Sequence, residues 1–138
     1  MRHPSCWGHR PAVMGVINLT PDSFSDGGKY NTVDQAVREA SRQIKAGADV
    51  LDLGAQSTRP GAVEVGAEVE LKRLLPCLRA IRRHHPDVVI SVDTFLAAVA
   101  SAALETGADW INDVSGGQRD PAMLALIADR RCPYVLMH

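Results

Sequence analysis

Short apolar runs alternate along this chain with longer stretches in which apolar residues recur at helical spacing, and the succession predicts strand and helix in turn. Residues 13–17 form the first run, broken only by Gly15 and closed by the polar Asn18, and predict a buried strand. The Pro-, Asp-, Ser- and Gly-rich segment that follows, residues 19–31, is longer than the usual strand-to-helix link, and such length points to a functional loop. Val33, Ala36, Val37, Ala40 and Ile44 then share one helical face, with Thr32 as N-cap, Gln35 completing a capping box and Gly47 as the stop. Residues 49–53 predict a second strand, and residues 54–61, Gly-Ala-Gln-Ser-Thr-Arg-Pro-Gly, a second polar loop. Val69, Leu74, Leu75, Leu78 and Ile81 mark a second helix, in which Pro76 is expected to introduce a kink or to open a new helix.

Residues 88–92 are nearly all β-branched and end at Asp93, as a strand covered on both faces does. Phe95, Ala98, Val99, Ala102 and Ala103 predict a third helix stopped by Gly107, and Trp110 and Ile111 a fourth strand ending near Asn112. Asp120 and Pro121 form an N-cap and first-position pair for a helix through Met123, Leu124, Ile127 and Ala128, and residues 134–137 a fifth strand. The order βαβαβαβαβ, with right-handed crossovers, is that of a doubly wound sheet or of part of a barrel. One unit is echoed: Gly47-Ala48-Asp49-Val50-Leu51-Asp52 resembles Gly107-Ala108-Asp109-Trp110-Ile111-Asn112.

With 138 residues, 46% of them hydrophobic, the chain has enough apolar material for one core and one domain. Its charges nearly cancel, to a formal −1, so the basic footprint that a nucleic-acid partner requires is missing. Cys6, Cys77 and Cys132 show neither a disulfide framework nor zinc-ligand spacing, which suits a reducing compartment. No signal-peptide core and no membrane-length apolar stretch are present, so a soluble, cytoplasmic protein with no membrane partner is expected. Walker A, GxGxxG, GxSxG and HExxH patterns are absent, which removes the common nucleotide, esterase and zinc-protease readings. His84 and His85, beside Arg82 and Arg83, read as solvated groups that complement a helix dipole and not as metal ligands.

Polar residues gather where chemistry is expected. Asn18, Asp52, Asp93 and Asn112 fall at or near the C-terminal ends of four successive predicted strands, the edge at which parallel α/β folds bind ligands. Taken alone, Asp52, two residues before Gly54, reads as a turn-capping carboxylate. An ionised Asp only accepts hydrogen bonds, whereas Asn both donates and accepts, so Asp93 and Asn112 together suit a flat heterocycle bearing amino, ring N–H and carbonyl groups. Ser57, Thr58 and Arg59 place two hydroxyls beside a guanidinium, a set suited to phosphate oxygens or to a solvated turn shaped by Pro60 and Gly61.

The segment Met14-Gly15-Val16-Ile17-Asn18-Leu19-Thr20-Pro21-Asp22-Ser23-Phe24-Ser25-Asp26-Gly27-Gly28 closely resembles the first signature of dihydropteroate synthases. Asp52-Leu53-Gly54-Ala55-Gln56-Ser57-Thr58-Arg59-Pro60-Gly61 is similar to the second, which more often has Gly at the place of Ala55. Ser91-Val92-Asp93-Thr94, Ile111-Asn112-Asp113-Val114-Ser115 and Leu136-Met137-His138 follow in family order. The resemblance implies a (β/α)8 TIM barrel, here strands one to five with four intervening helices. It implies condensation of 6-hydroxymethyl-7,8-dihydropterin diphosphate with p-aminobenzoate, release of pyrophosphate, and magnesium as cofactor. It implies that Asp93 and Asn112 bind the pterin edge between Val114 and Met137, and that Asn18 holds the diphosphate and its Mg²⁺. Arg59, Ser57, Thr58, Phe24 and Pro60 then belong to two loops that complete the diphosphate and p-aminobenzoate sites, with Arg59 and Asn18 as the catalytic pair. A homodimer is implied for the full-length family member.

Two other readings follow from the same residues. A pterin-binding methyltransferase domain of a corrinoid system would share the strand-end Asp and Asn but lack the loop from Thr20 to Gly28. A non-catalytic pterin-binding fragment is suggested by length, since a barrel of this type takes about 250 residues. The expectation is therefore an irregular segment, residues 1–12, followed by the N-terminal part of a barrel, residues 13–138, with little activity in isolation.

Overall fold

The computed structural model describes residues 1–23, 32–57 and 61–137. Strands and helices alternate as β1 (Met14–Asn18), α1 (Thr32–Lys45), β2 (Val50–Gly54), α2 (Gly66–His84), β3 (Val89–Asp93), α3 (Ala97–Thr106), β4 (Trp110–Asp113), α4 (Met123–Arg130) and β5 (Tyr134–Leu136), with a short 3-10 turn at Pro21–Ser23. All pairings are parallel and the strand order is β1-β2-β3-β4-β5. An order that never reverses, with each helix packed on the next, puts α1 to α4 on one face of the sheet. This is the barrel alternative; a doubly wound sheet would reverse its order and cover both faces.

Period-two alternation along each strand separates the two faces. Ile17, Leu51, Leu53, Ile90, Val92 and Ile111 pack under the helices with Ala36, Ala40, Leu74, Leu78, Ile81, Val99, Ala103 and Met123, forming the main core. On the opposite face the register aligns Val16, Asp52, Ser91 and Trp110 in one layer and Asn18, Gly54, Asp93, Asn112 and Val135 in the layer above. The polar residues thus lie on the face that a barrel turns inward.

Three local expectations need correction. Pro76 opens no new helix: α2 is assigned continuously through it from Gly66 to His84. The ring sits on the exposed side, while Leu74, Cys77, Leu78 and Ile81 are buried on either side of it, and that burial outweighs the roughly 3 kcal/mol cost of an interior proline. Regular helix in α4 starts at Met123, after a turn in which Asp120 Oδ1 accepts from Ala122 N–H (3.0 Å). The same carboxylate reaches back through Oδ2 to the first N–H of α3, at Ala97 (2.8 Å), so one side chain caps two helices. Finally, strands β1 to β3 each begin one residue later than the apolar runs suggest: before β2, Asp49 bonds Val13 N–H (2.8 Å) and Arg10 through its carboxylate, and before β3 the Val88 carbonyl accepts from Arg82 (2.7 Å).

The sequence echo has a structural counterpart. Asp49 and Asp109 each exchange hydrogen bonds with the backbone at the base of the preceding strand, through Val13 and Ile90 respectively. Asp109 is also gripped by Arg82 (2.6 Å), whose guanidinium further donates to the carbonyls of Gly107, Pro86 and Val88. Residues 1–13 form neither helix nor strand, yet they are docked: Trp110 Nε1 donates to Arg2 O (3.1 Å), and the Trp7 and Trp110 rings lie 5.2 Å apart.

Candidate functional site

Strands β1, β3 and β4 each deliver one group to the C-terminal edge. Asn18 ends β1 and is exposed; Asp93 ends β3 and Asn112 lies in β4, both half-buried. Asp52 is inside β2, only 3% exposed, and is not a turn cap. Its Oδ2 accepts a hydrogen bond from Asn112 Nδ2 (3.0 Å). A cavity of about 500 Å³ opens above β1 to β3, lined by Asn18, Asp52, Ser57 and Asp93 and by Thr20, Asp22 and Ser23 from the turn after β1. Gly54 keeps its floor low, since a Cβ there would stand 3.6 Å from Asp93 Oδ2 and 3.8 Å from Asn18 Oδ1.

Burial pushes the Asp93 carboxyl up to about 7, helped by the neighbouring acids Asp52, Glu70 and Asp113. Glu70, a buried α2 residue, is also raised, mainly by burial, against opposing contributions from Thr94 and Arg73. Near neutrality Asp93 therefore exchanges between a donor and an acceptor, which suits it to a ring edge that carries N–H groups. The raised value has a stability consequence. The native chain holds a proton on Asp93 between its ordinary pKa of 3.8 and about 7, and the unfolded chain does not. Native stability conferred by Asp93 is thus complete below about pH 4 and is lost as pH rises through about 7. Urea denaturation across that window is expected to show a falling midpoint in the native chain and a flatter one in Asp93→Asn, and equal slopes would remove Asp93 as the cause.

A second cavity, about 490 Å³, adjoins the first through Ser57 and brings Val114 and Met137 together. Met137 is 56% exposed there. The Arg119 guanidinium lies 4.8 Å over the Phe95 ring and pairs with Glu64. Beneath this cavity Asp113 is fully buried and accepts from Ser115 N–H (2.8 Å), Ser115 Oγ (2.7 Å), Gly117 N–H (3.0 Å) and Tyr134 Oη (2.7 Å). It shapes the loop after β4 and ties that loop to β5. Burial, reinforced by Asp113, raises the Tyr134 hydroxyl well above its ordinary value.

The structure therefore brings Asn18, Asp52, Ser57 and Asp93 to one cavity, joins Asn112 to them through Asp52, and sets Val114 and Met137 next door. Phe24, Thr58, Arg59, Pro60 and His138 lie outside the described residues. Ser91, Glu70, Asp113 and Tyr134 are additional polar residues beneath or beside the site that the sequence reading did not single out. Among the described residues no group of three or more His, Cys, Asp or Glu side chains is placed to hold a metal. The oxygen donors around Asn18 nevertheless suit a hard cation shared with a phosphate ligand, since Mg²⁺ commonly takes only one or two protein ligands beside substrate phosphates.

A parallel sheet of this order, with carboxylates and amides converging at its C-terminal edge, defines a ligand-binding TIM-barrel type. The family model described as pterin binding enzyme matches residues 14–138, and the chain belongs to that family. Its relatives include the dihydropteroate synthase of Synechocystis sp., 47% identical over 96% of this chain and 45% of that protein. The mitochondrial folate synthesis bifunctional protein of Pisum sativum is 51% identical over 96% of this chain and 26% of that protein. Among solved structures, the Xanthomonas albilineans dihydropteroate synthase with 4-aminobenzoic acid superposes with a TM-score of 0.89 at 48% identity, covering 94% of this chain and 48% of that one. The enzyme from that organism in complex with 7,8-dihydropteroate gives 0.82 at 44% identity, over 94% and 46%. These neighbours are TIM barrels, in agreement with the fold expected from the sequence. The chain spans about half the length of the dihydropteroate synthases it matches.

Proposed function

We propose that this chain contributes the pterin and diphosphate side of a dihydropteroate synthase site. The observation that carries the reading is the shared floor of Asp93, Asn18 and the Asp52-bound Asn112 at the ends of neighbouring strands. In this reading Asp93 and Asn112 grip the hydrogen-bonding edge of the pterin, and Val114 and Met137 supply its apolar walls. Asn18 holds the diphosphate, and its amide oxygen is the protein ligand for Mg²⁺. Magnesium, when bound, neutralises diphosphate charge. Ser57, Thr58 and Arg59 complete the diphosphate side, and Phe24 and Pro60 the p-aminobenzoate side. That neighbouring structures were solved with 4-aminobenzoic acid and with 7,8-dihydropteroate supports a site for ligands of this class.

In the reaction, the bond between the pterin methylene carbon and the diphosphate oxygen breaks, and its electron pair leaves with diphosphate. The amine of p-aminobenzoate supplies the pair for the new C–N bond and then loses a proton. Arg59 stabilises charge on the departing diphosphate, an electrostatic contribution that grows toward the transition state. The cytoplasmic setting and the homodimer implied by the resemblance belong to the same proposal; among the described residues, no helix is long and apolar enough to cross a membrane. In a full-length chain, Arg59→Ala is expected to slow pyrophosphate release about a hundredfold, with calorimetric binding of the pterin ring at Asp93 largely intact. An unaltered turnover would overturn the role of Arg59, and no calorimetric signal with the unsubstituted protein would overturn the pterin site.

A further inference from the structure

We propose that Asp52 is a positioning residue. By accepting the Nδ2 hydrogen of Asn112 it fixes which way that amide faces, and so makes the site select rings bearing an amino group over rings bearing an oxo group at the same place. The inference rests on the pterin-site reading above and goes beyond it by naming what orients the recognition amide.

An amide side chain is nearly symmetric in shape, so an unheld Asn presents either its oxygen or its nitrogen to a ligand at little cost. Asn112 is held. Its nitrogen lies 3.0 Å from Asp52 Oδ2. A carboxylate oxygen accepts only, and flipping the amide would set oxygen against oxygen. What remains for a ligand is Asn112 Oδ1 and the second Nδ2 hydrogen. An amino group can donate to that oxygen, whereas an oxo group in its place meets another acceptor.

The strand register makes the contact possible. Ser91 pairs with Asp52 on one side and with Trp110 on the other, and Asn112 stands two residues beyond Trp110 on the same face. Because Ser91 is small, the amide crosses β3 to reach β2. Folding alone gives little reason for a carboxylate here. Asp52 is 3% exposed, its Oδ1 is buried with no hydrogen-bond partner among the described residues, and the fully buried Ser91 Oγ beside it also lacks one. A half-satisfied buried carboxylate costs stability relative to an apolar residue of similar size. Its return is the fixed orientation of Asn112.

The test compares calorimetric affinities for two ligands, 6-hydroxymethylpterin and its counterpart with oxo in place of the 2-amino group, in the unsubstituted protein and in Asp52→Asn. Asparagine is nearly isosteric and can offer Asn112 either its oxygen or its amino group, so both amide orientations become paired. The unsubstituted protein should prefer the amino ring, and the variant should lose about tenfold of that preference. Partial unfolding would weaken both ligands equally and leave the ratio untouched. Binding with an unaltered ratio in Asp52→Asn overturns the role of Asp52 alone. Failure of the unsubstituted protein to bind either ring overturns the pterin reading itself, and the role of Asp52 with it.

Discussion

Replacing Asp93 by alanine is expected to weaken binding of the pterin diphosphate by about 10- to 100-fold, measured by calorimetry above pH 7, where the carboxylate form dominates. The magnitude is that of a charge-assisted hydrogen bond lost from a partly buried site. Two features set it. Asp93 ends β3 directly above the Gly54 floor, so no side chain there can replace its oxygens. Burial and acidic neighbours, which raise its pKa to about 7, also disfavour its charge, a penalty that a donor-bearing ring relieves. Binding through the ionised form should therefore strengthen as pH rises from about 6 to about 8. In Asp93→Asn, which keeps one acceptor oxygen but cannot titrate, that pH dependence should vanish. Affinity in Asp93→Ala equal to that of the native chain would remove Asp93 from the site.

The largest expected loss of stability comes from the other end of the sheet. Arg82→Leu should lower the unfolding free energy by roughly 3–5 kcal/mol, read from the urea midpoint at constant slope. Arg82 is 15% exposed and Asp109 3%, so the pair is nearly buried. Its removal strands the carbonyls of Gly107 and Val88 and leaves Asp109 with the half-exposed Arg2 and the Ile90 N–H. Leucine replaces the volume but none of the donors. The comparison is Arg42→Ala, which breaks an exposed pair with Glu39 on α1 and should shift the midpoint far less. Equal losses in the two variants would show that the Arg82 cluster adds nothing beyond a surface ion pair.

Much of this architecture was legible because burial writes its period into the sequence. Runs such as the one ending at Asp93 and faces such as Val33, Ala36, Val37 and Ala40 have few other interpretations. The choice between barrel and doubly wound sheet was not legible from element order, because it depends on spatial strand order, which only pairing reveals. At the site, Asn18, Asp52, Asp93 and Asn112 all stand out by position. The role of Asp52 does not, since an Asp two residues before a loop looks like a turn residue until its neighbour across two strands is known. Ser91 gave no signal inside an apolar run, and the bond between Asp113 and Tyr134 joins residues 21 apart whose meeting depends on the β4–β5 register. The new helix that Pro76 suggested does not form, because local propensity is outweighed by the burial on either side of it.

The carboxylate of Asp120 carries a dynamic consequence. One oxygen holds the first amide of α3 and the other holds the turn that leads into α4, so a displacement of the Asp120 side chain frees both helix starts at once. The α3–β4–α4 segment should accordingly open as a single cooperative unit, with the amides of Ala97 and Ala122 exchanging hydrogen for deuterium in concert. Asn112 and Val114 lie between those two helices in sequence, so the recognition amide and its apolar neighbour should open with them.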